Sequence, residues 1–154
     1  MSAWFRIDNR LVHGQVIEGW LPYLDAGELV VANDALAGDP LRQQIMQLAI
    51  PARVRVRFIP VSDVKMVYET LEAAGKASLF ILSDCGDVMR TVEQGVPVPV
   101  LNVGNMHYTD GKRQICSHVA ASSEDLQCFT ALRQHGTKLD FRCVPGDTPM
   151  VEEW

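Results

Sequence analysis

ELVVANDALAGDPLRQQIMQLAIPARVRVRFIP (Glu28–Pro60) carries one full strand–helix–strand repeat. The run ELVVAN (28–33) is apolar enough for a buried strand. Asp34 starts or caps the next segment, and DPLRQQIMQLAI (39–50) has helical spacing at Leu41, Ile45 and Leu48. Pro51 ends that helix, because it has no N–H for the ladder and its ring clashes with the preceding turn. RVRVRFIP (53–60) then alternates strictly, with Arg53, Arg55 and Arg57 on one face and Val54, Val56 and Phe58 on the other. Such alternation marks a half-exposed strand near a sheet edge.

The same alternation of strand and helix extends in both directions. Upstream, AWFRI (3–7) reads as a strand and HGQVIEGWLPYL (13–24) as a helix that Pro22 shortens or kinks. Downstream, Ser62 is placed to cap DVKMVYETLEAAG (63–75), with Gly75 as its stop. SLFILS (78–83) is a buried strand, DVMRTVEQG (87–95) a short helix and VPVLNVG (98–104) another strand. TDGKRQICSHV (109–119) suggests a tight turn at Asp110-Gly111 with strand beyond it. Ser122 and Asp125 form a capping box for the helix 124–136, which Gly136 closes. KLDFRCV (138–144) is a last strand, and PGDTPMVEEW (145–154) reads as a loosely held tail. This order predicts an α/β fold: a doubly wound, mostly parallel sheet of about seven strands with helices on both faces. At 154 residues the chain fits one domain, 1–154.

Bulk composition narrows the function. A net charge of −5 argues against broad nucleic-acid binding, which needs a basic face. No apolar run approaches the roughly 20 residues of a membrane span, and the N-terminus lacks the pattern of a signal peptide. Cys85, Cys116, Cys128 and Cys143 have no C-x-x-C spacing, so reduced thiols in a cytoplasmic protein are expected and no metal site.

In doubly wound sheets, ligands bind beyond the carboxyl ends of the strands. FRIDNRLVHGQV (5–16) lies there, directly after the first strand. Asn33-Asp34, Ser83-Asp84 and the loop NVGNMHY (102–108), with Gly104, Asn105 and His107, fall at the same end. His13 and Gly14 stand where strand hands over to helix, and a helix N-terminus offers free N–H groups and partial positive charge to an anion. Gly14 admits close backbone approach. Arg10 can fork two donors onto phosphate oxygens, and Arg6 adds positive potential or pairs with an acid. Asp8 can orient the imidazole, and Gln15 offers an amide. Together they suit a histidine nucleophile beside an oxyanion cradle, the chemistry of phosphoryl transfer. The plainer alternative is a polar loop histidine with a surface ion pair. His118 reads as a core or sheet histidine, His135 as a helix-end residue and the Arg53/Arg55/Arg57 stripe as a solvated strand face.

RIDNRLVHGQV (6–16) resembles the active-site loop of the IIB component of the mannose/fructose/sorbose family of the bacterial phosphoenolpyruvate-dependent sugar phosphotransferase system. The resemblance continues through VVANDALAGDPLRQQIMQLAIP (30–51), VEQGVPVPVLNVGNM (92–106), DGKRQI (110–115) and LRQHGTKLDFRCVP (132–145). It implies a doubly wound sheet with one strand opposed to the rest. It implies that His13 takes a phosphoryl group on Nδ1 from a phosphohistidine of a IIA partner and passes it to a sugar held by a IIC/IID membrane permease. The loop then sits at the permease from the cytoplasmic side, and no cofactor is implied. The chain departs from the family pattern in Gly104-Asn105-Met106, where Gly-Gly-Met is common, and in LSDCGDVMR (82–90), where Ser83 keeps a hydroxyl but Asp84 adds a negative charge. These departures leave a regulatory module without sugar transport as an alternative. An anion-binding protein with no covalent step is a further one.

Overall fold

The computed structural model describes residues 2–149. Six strands form one sheet in the order β3-β2-β4-β1-β5-β8: β1 Ala3–Asp8, β2 Glu28–Ala32, β3 Arg55–Ile59, β4 Ser78–Leu82, β5 Val100–Asn105 and β8 Lys138–Asp140. Every pairing within it is parallel. The α/β class, with helices on both faces, is as the sequence predicts. The antiparallel element is not a seventh strand of this sheet. It is a separate hairpin, β6 Arg113–Cys116 with β7 Val119–Ala121, which touches the end of β5 through one bridge, Met106 to Val119. The turn at Asp110-Gly111 forms as predicted, with the Lys112 N–H donating to the Thr109 carbonyl at 3.1 Å and β6 following, and the chain reverses again at Ser117-His118, between β6 and β7.

Two cores lie on the two faces of the sheet. On one face Phe5, Ile7, Phe80, Leu82 and Leu101 pack under α4 Val64–Ala73, α5 Cys85–Glu93 and α6 Ser123–Gln134. On the other, Leu29, Val31, Leu79 and Ile81 pack against Val16, Trp20 and Leu21 from the segment after β1. That segment opens as a π-helical turn, Gln15–Trp20, and continues as α1, Leu21–Leu24, with Pro22 in its first turn, where the missing N–H costs nothing. α2 Asp34–Ala37 and α3 Pro40–Gln47 come after β2.

Several local expectations change. The apolar stripe Leu41, Ile45 and Leu48 does not face the core; all three are exposed, and α3 buries no residue. α3 is held instead by the Gln43 amide, which donates to the carbonyls of Leu36 and Ala37. Ser62 lies inside a 3-10 turn, Val61–Asp63, and makes no cap. The helix expected at 87–95 starts two residues earlier, because Asp84 caps it by accepting from the Asp87 N–H at 2.9 Å. The last strand stops at Asp140. Residues 141–149 fold back over the π-helical turn: Trp20 donates to the Cys143 carbonyl at 2.8 Å and Asp147 accepts from the N–H groups of Cys143 and Val144. This part of the expected tail is tied down, and 150–154 lie outside the described residues. The expectation of four reduced thiols is also overturned: Cys85 of α5 and Cys128 of α6 form a disulfide across the interface of those helices, with Cα atoms 6.2 Å apart. Their separation of 43 residues gave no sequence signal; only the packing of α5 on α6 brings them together. The predicted edge position of β3 holds, and its Arg57 lies 3.5 Å from Glu28 of β2. The Ser122–Asp125 capping box also forms as predicted.

Candidate functional site

The two ends of the chain's first loop are fixed by strand geometry. In β1, residues two apart share a face, so Arg6 and Asp8 point the same way. The Arg6 guanidinium donates from Nε and Nη2 to Asp8 Oδ2 at 3.1 and 2.9 Å, and both residues are buried. Burial of such a pair is tolerable only when its remaining polar atoms are satisfied. Arg6 Nη1 completes the set by donating to Asn102 Oδ1 at 2.5 Å and to the Arg142 carbonyl at 3.4 Å, while its guanidinium lies over the Trp20 ring. Asn102 in turn donates to the carbonyls of Asp140 and Arg142.

Gly104 makes room for this. A Cβ built there would overlap the Arg6 guanidinium. The β1–β5 register also slips at this point: Ile7 pairs with Val103, and Asp8 with Asn105. A bulge of this kind re-aims side chains beside functional sites. Here it sets Asn105 opposite Asp8, and the Asn105 Nδ2 donates to Asp8 Oδ2 at 3.0 Å and to Gln15 Oε1 at 2.8 Å.

Beyond Asp8 the chain turns, with Leu11 N–H donating to the Asp8 carbonyl. Leu11 is buried with φ of +62°, a left-handed conformation costing about 1–2 kcal/mol for a residue with a Cβ. The turn brings His13 back, so that its Nε2 lies 2.7 Å from Asp8 Oδ2. The other ring nitrogen, Nδ1, is buried and has no hydrogen-bond partner among the described residues. Burial alone would push the Asp8 carboxyl up, but the bond with His13, the Arg6 charge and the Asn105 amide together hold it below its ordinary value. Asp8 is therefore an ionised acceptor at neutral pH. Its Oδ1 accepts from the Arg10 backbone N–H at 3.0 Å.

The structure thus gathers Arg6, Asp8, His13, Gln15, Gly104 and Asn105 into one contact network. Gly14 precedes the π-helical turn, and its N–H makes no hydrogen bond among the described residues. The Arg10 side chain is exposed and carries no ion pair among them. With Asn9, Asn105, His107 and His118 it lines a cleft of about 300 Å³ between the loop and the β6–β7 hairpin. Burial holds the His118 imidazole below its usual value. From sequence His118 reads as a core or sheet histidine; it stands half-buried in the turn between β6 and β7 and lines this cleft.

Asn33, Asp34 and Ser83 form a second network. Asn33 caps α2 and donates to Ser83 at 3.3 Å, while Asp34 accepts from the Val61 N–H and pairs with Arg90 at 3.0 Å. Among the described residues no hydrogen bond joins this group to the His13 network. The sequence did not single out Asn102, Arg142, Trp20 or Cys143 as site residues. Only Asn102 left a trace, as a polar residue inside an apolar strand that must find a partner when buried.

The chain matches the family described as the sorbose-subfamily IIB component of the PTS, the phosphotransferase system, over residues 3–152. It is 36% identical over 148 residues to N-acetylgalactosamine-specific phosphotransferase enzyme IIB component 2 of Escherichia coli K12, covering 96% of this chain and 92% of that protein. It is 32% identical over 142 residues to the mannose-specific EIIAB component of the same organism, of which it spans 44%. The crystal structure of the Escherichia coli N-acetylgalactosamine-specific IIB component 1 superposes with a TM-score of 0.91 at 33% identity, covering 99% of each chain. The chain belongs to the sorbose-subfamily IIB components of the PTS, a family of sugar phosphotransferases.

Proposed function

We propose that the protein is a phosphocarrier that cycles through phosphohistidine on Nδ1 of His13. One observation carries this: Asp8 engages Nε2 and leaves the Nδ1 lone pair unspent. A carboxylate facing Nε2 selects the tautomer with its proton there, which makes Nδ1 the nucleophile. The lone pair attacks phosphorus, the donor's P–N bond breaks, and its electron pair returns to the donor imidazole. The phosphorylated ring is then cationic at Nε2–H, and ionised Asp8 faces that charge at hydrogen-bond distance. The free N–H of Gly14 and the Arg10 guanidinium, which has no ion pair among the described residues, are donors available to the phosphoryl oxygens. Because Nδ1 is covered in this conformation, residues 9–14 shift to admit the donor.

The donor we assign is a phosphorylated IIA protein. The name of the mannose EIIAB relative joins a IIA to a IIB part, which supports that pairing. The acceptor is a sugar held by a IIC/IID permease, which this chain meets from the cytoplasmic side. No helix among the described residues is long and apolar enough to cross a membrane. The test is intact mass after incubation with phosphoenolpyruvate, the general phosphotransferase proteins and an active IIA, kept at mildly alkaline pH. Wild type gains one phosphate and His13→Ala gains none. Equal labelling of both proteins, or of neither, overturns the assignment.

A further inference from the structure

Asn105 stands between two acceptors. Its Nδ2 is 3.0 Å from Asp8 Oδ2 and 2.8 Å from Gln15 Oε1, so each of its two N–H groups has a partner. Those partners fix which way the amide faces, since a flipped amide would set its oxygen against a carboxylate. Both neighbours are constrained in turn. Asp8 Oδ2 is held from the β5 side as well as from Arg6, so it cannot swing wholly toward the guanidinium and away from His13 Nε2. Gln15 is turned with its oxygen toward Asn105 and the Cys143 thiol, which leaves its amide nitrogen free among the described residues.

We infer that Asn105 is a positioning residue for the phosphocarrier step: it aims Asp8 at His13 Nε2 and turns the Gln15 NH2 outward as a donor for the phosphoryl group. This rests on the phosphohistidine reading above, but its first consequence is measurable without phosphate. The charged and titratable groups facing Asp8 are Arg6 from β1, His13 from the loop and, more distantly, Cys143 from the 141–149 segment. Asn105 is a neutral neighbour of this set, so Asn105→Ala alters aim without first altering charge.

The test uses Asn105→Ala, which deletes both donors, and the near-isosteric Asn105→Asp, which sets a carboxylate against Asp8 and invites Gln15 to turn its NH2 inward. The first readout is the nitrogen-15 spectrum of His13 at mildly alkaline pH, with His135 as internal reference. Wild type shows the Nε2–H tautomer, and both variants move toward a mixture. The second is the rate of phosphoryl acceptance from phospho-IIA, which falls roughly tenfold or more in both variants, as expected when aim is lost but the nucleophile kept. An unchanged His13 tautomer in both variants overturns the inference, whatever the rates. If wild-type protein takes no phosphate, the phosphocarrier reading falls, and the tautomer comparison still decides what Asn105 does.

Discussion

At the scale of single residues, Arg6 and Gly104 depend on each other. The guanidinium occupies the space that any side chain at 104 would need, and it is boxed in by Asp8, Asn102, the Arg142 carbonyl and Trp20. Gly104→Ala therefore expels a buried charge from its partners instead of filling a gap. Breaking a buried pair costs about 3–5 kcal/mol. The variant should lose about that much in urea unfolding, whereas Gly14→Ala, where a Cβ meets nothing, should lose far less. Equal midpoints for the two would show that Arg6 relocates at no cost. The sequence exposed only half of this. Arg6, Asp8, Gly104 and Asn105 were each legible as candidates because they fall at strand ends. That Arg6 folds over Gly104 was not, because it depends on the register slip between β1 and β5.

At the scale of elements, period was a good guide to type and a poorer one to facing. Strands β1, β2 and β4 were plain as short apolar runs, since a strand covered on both sides needs no polar face. α3 shows the limit. Its stripe at Leu41, Ile45 and Leu48 has the spacing of a core face, yet the short α2 turn and the Gln43 anchor rotate it to solvent. Met46 and Ile50 are the residues of this stretch that pack partly against the core. Leu48→Gln should thus leave unfolding free energy within roughly 0.5 kcal/mol of wild type, as at other exposed positions. Ile50→Gln should cost clearly more, since Ile50 rests on the buried cluster. A loss at Leu48 as large as at Ile50 would mean the stripe faces inward after all.

At the scale of the whole molecule, strand order was not readable from local pattern: β4 inserts between β2 and β1 because of how the crossovers pack, not because of any signal within β4. That insertion buries the end of β1, and with it the Asp8 carboxylate. Asp8 has a folded value below that of the unfolded chain, which lies near about 3.9. A depressed carboxylate contributes stability that is complete above the unfolded value and is lost as pH falls through the folded one. Asp34 is lowered too, but its side chain is half exposed and its share is screened. Asp87 runs the other way. Burial and the neighbouring Asp84 raise it, so acid relieves a small penalty as pH falls through its raised value, before Asp8 begins to titrate. Unfolding free energy should therefore hold or rise slightly from neutral pH toward the mid-fours and fall steeply below about pH 4. Asp8→Asn should be less stable at pH 7, because Arg6 loses its counter-charge, yet lose much less between about pH 4 and about pH 2. Urea unfolding of both proteins across this range decides the matter. Parallel curves would place the acid-sensitive carboxylate elsewhere; curves that converge toward low pH would tie global acid stability to the residue that faces His13.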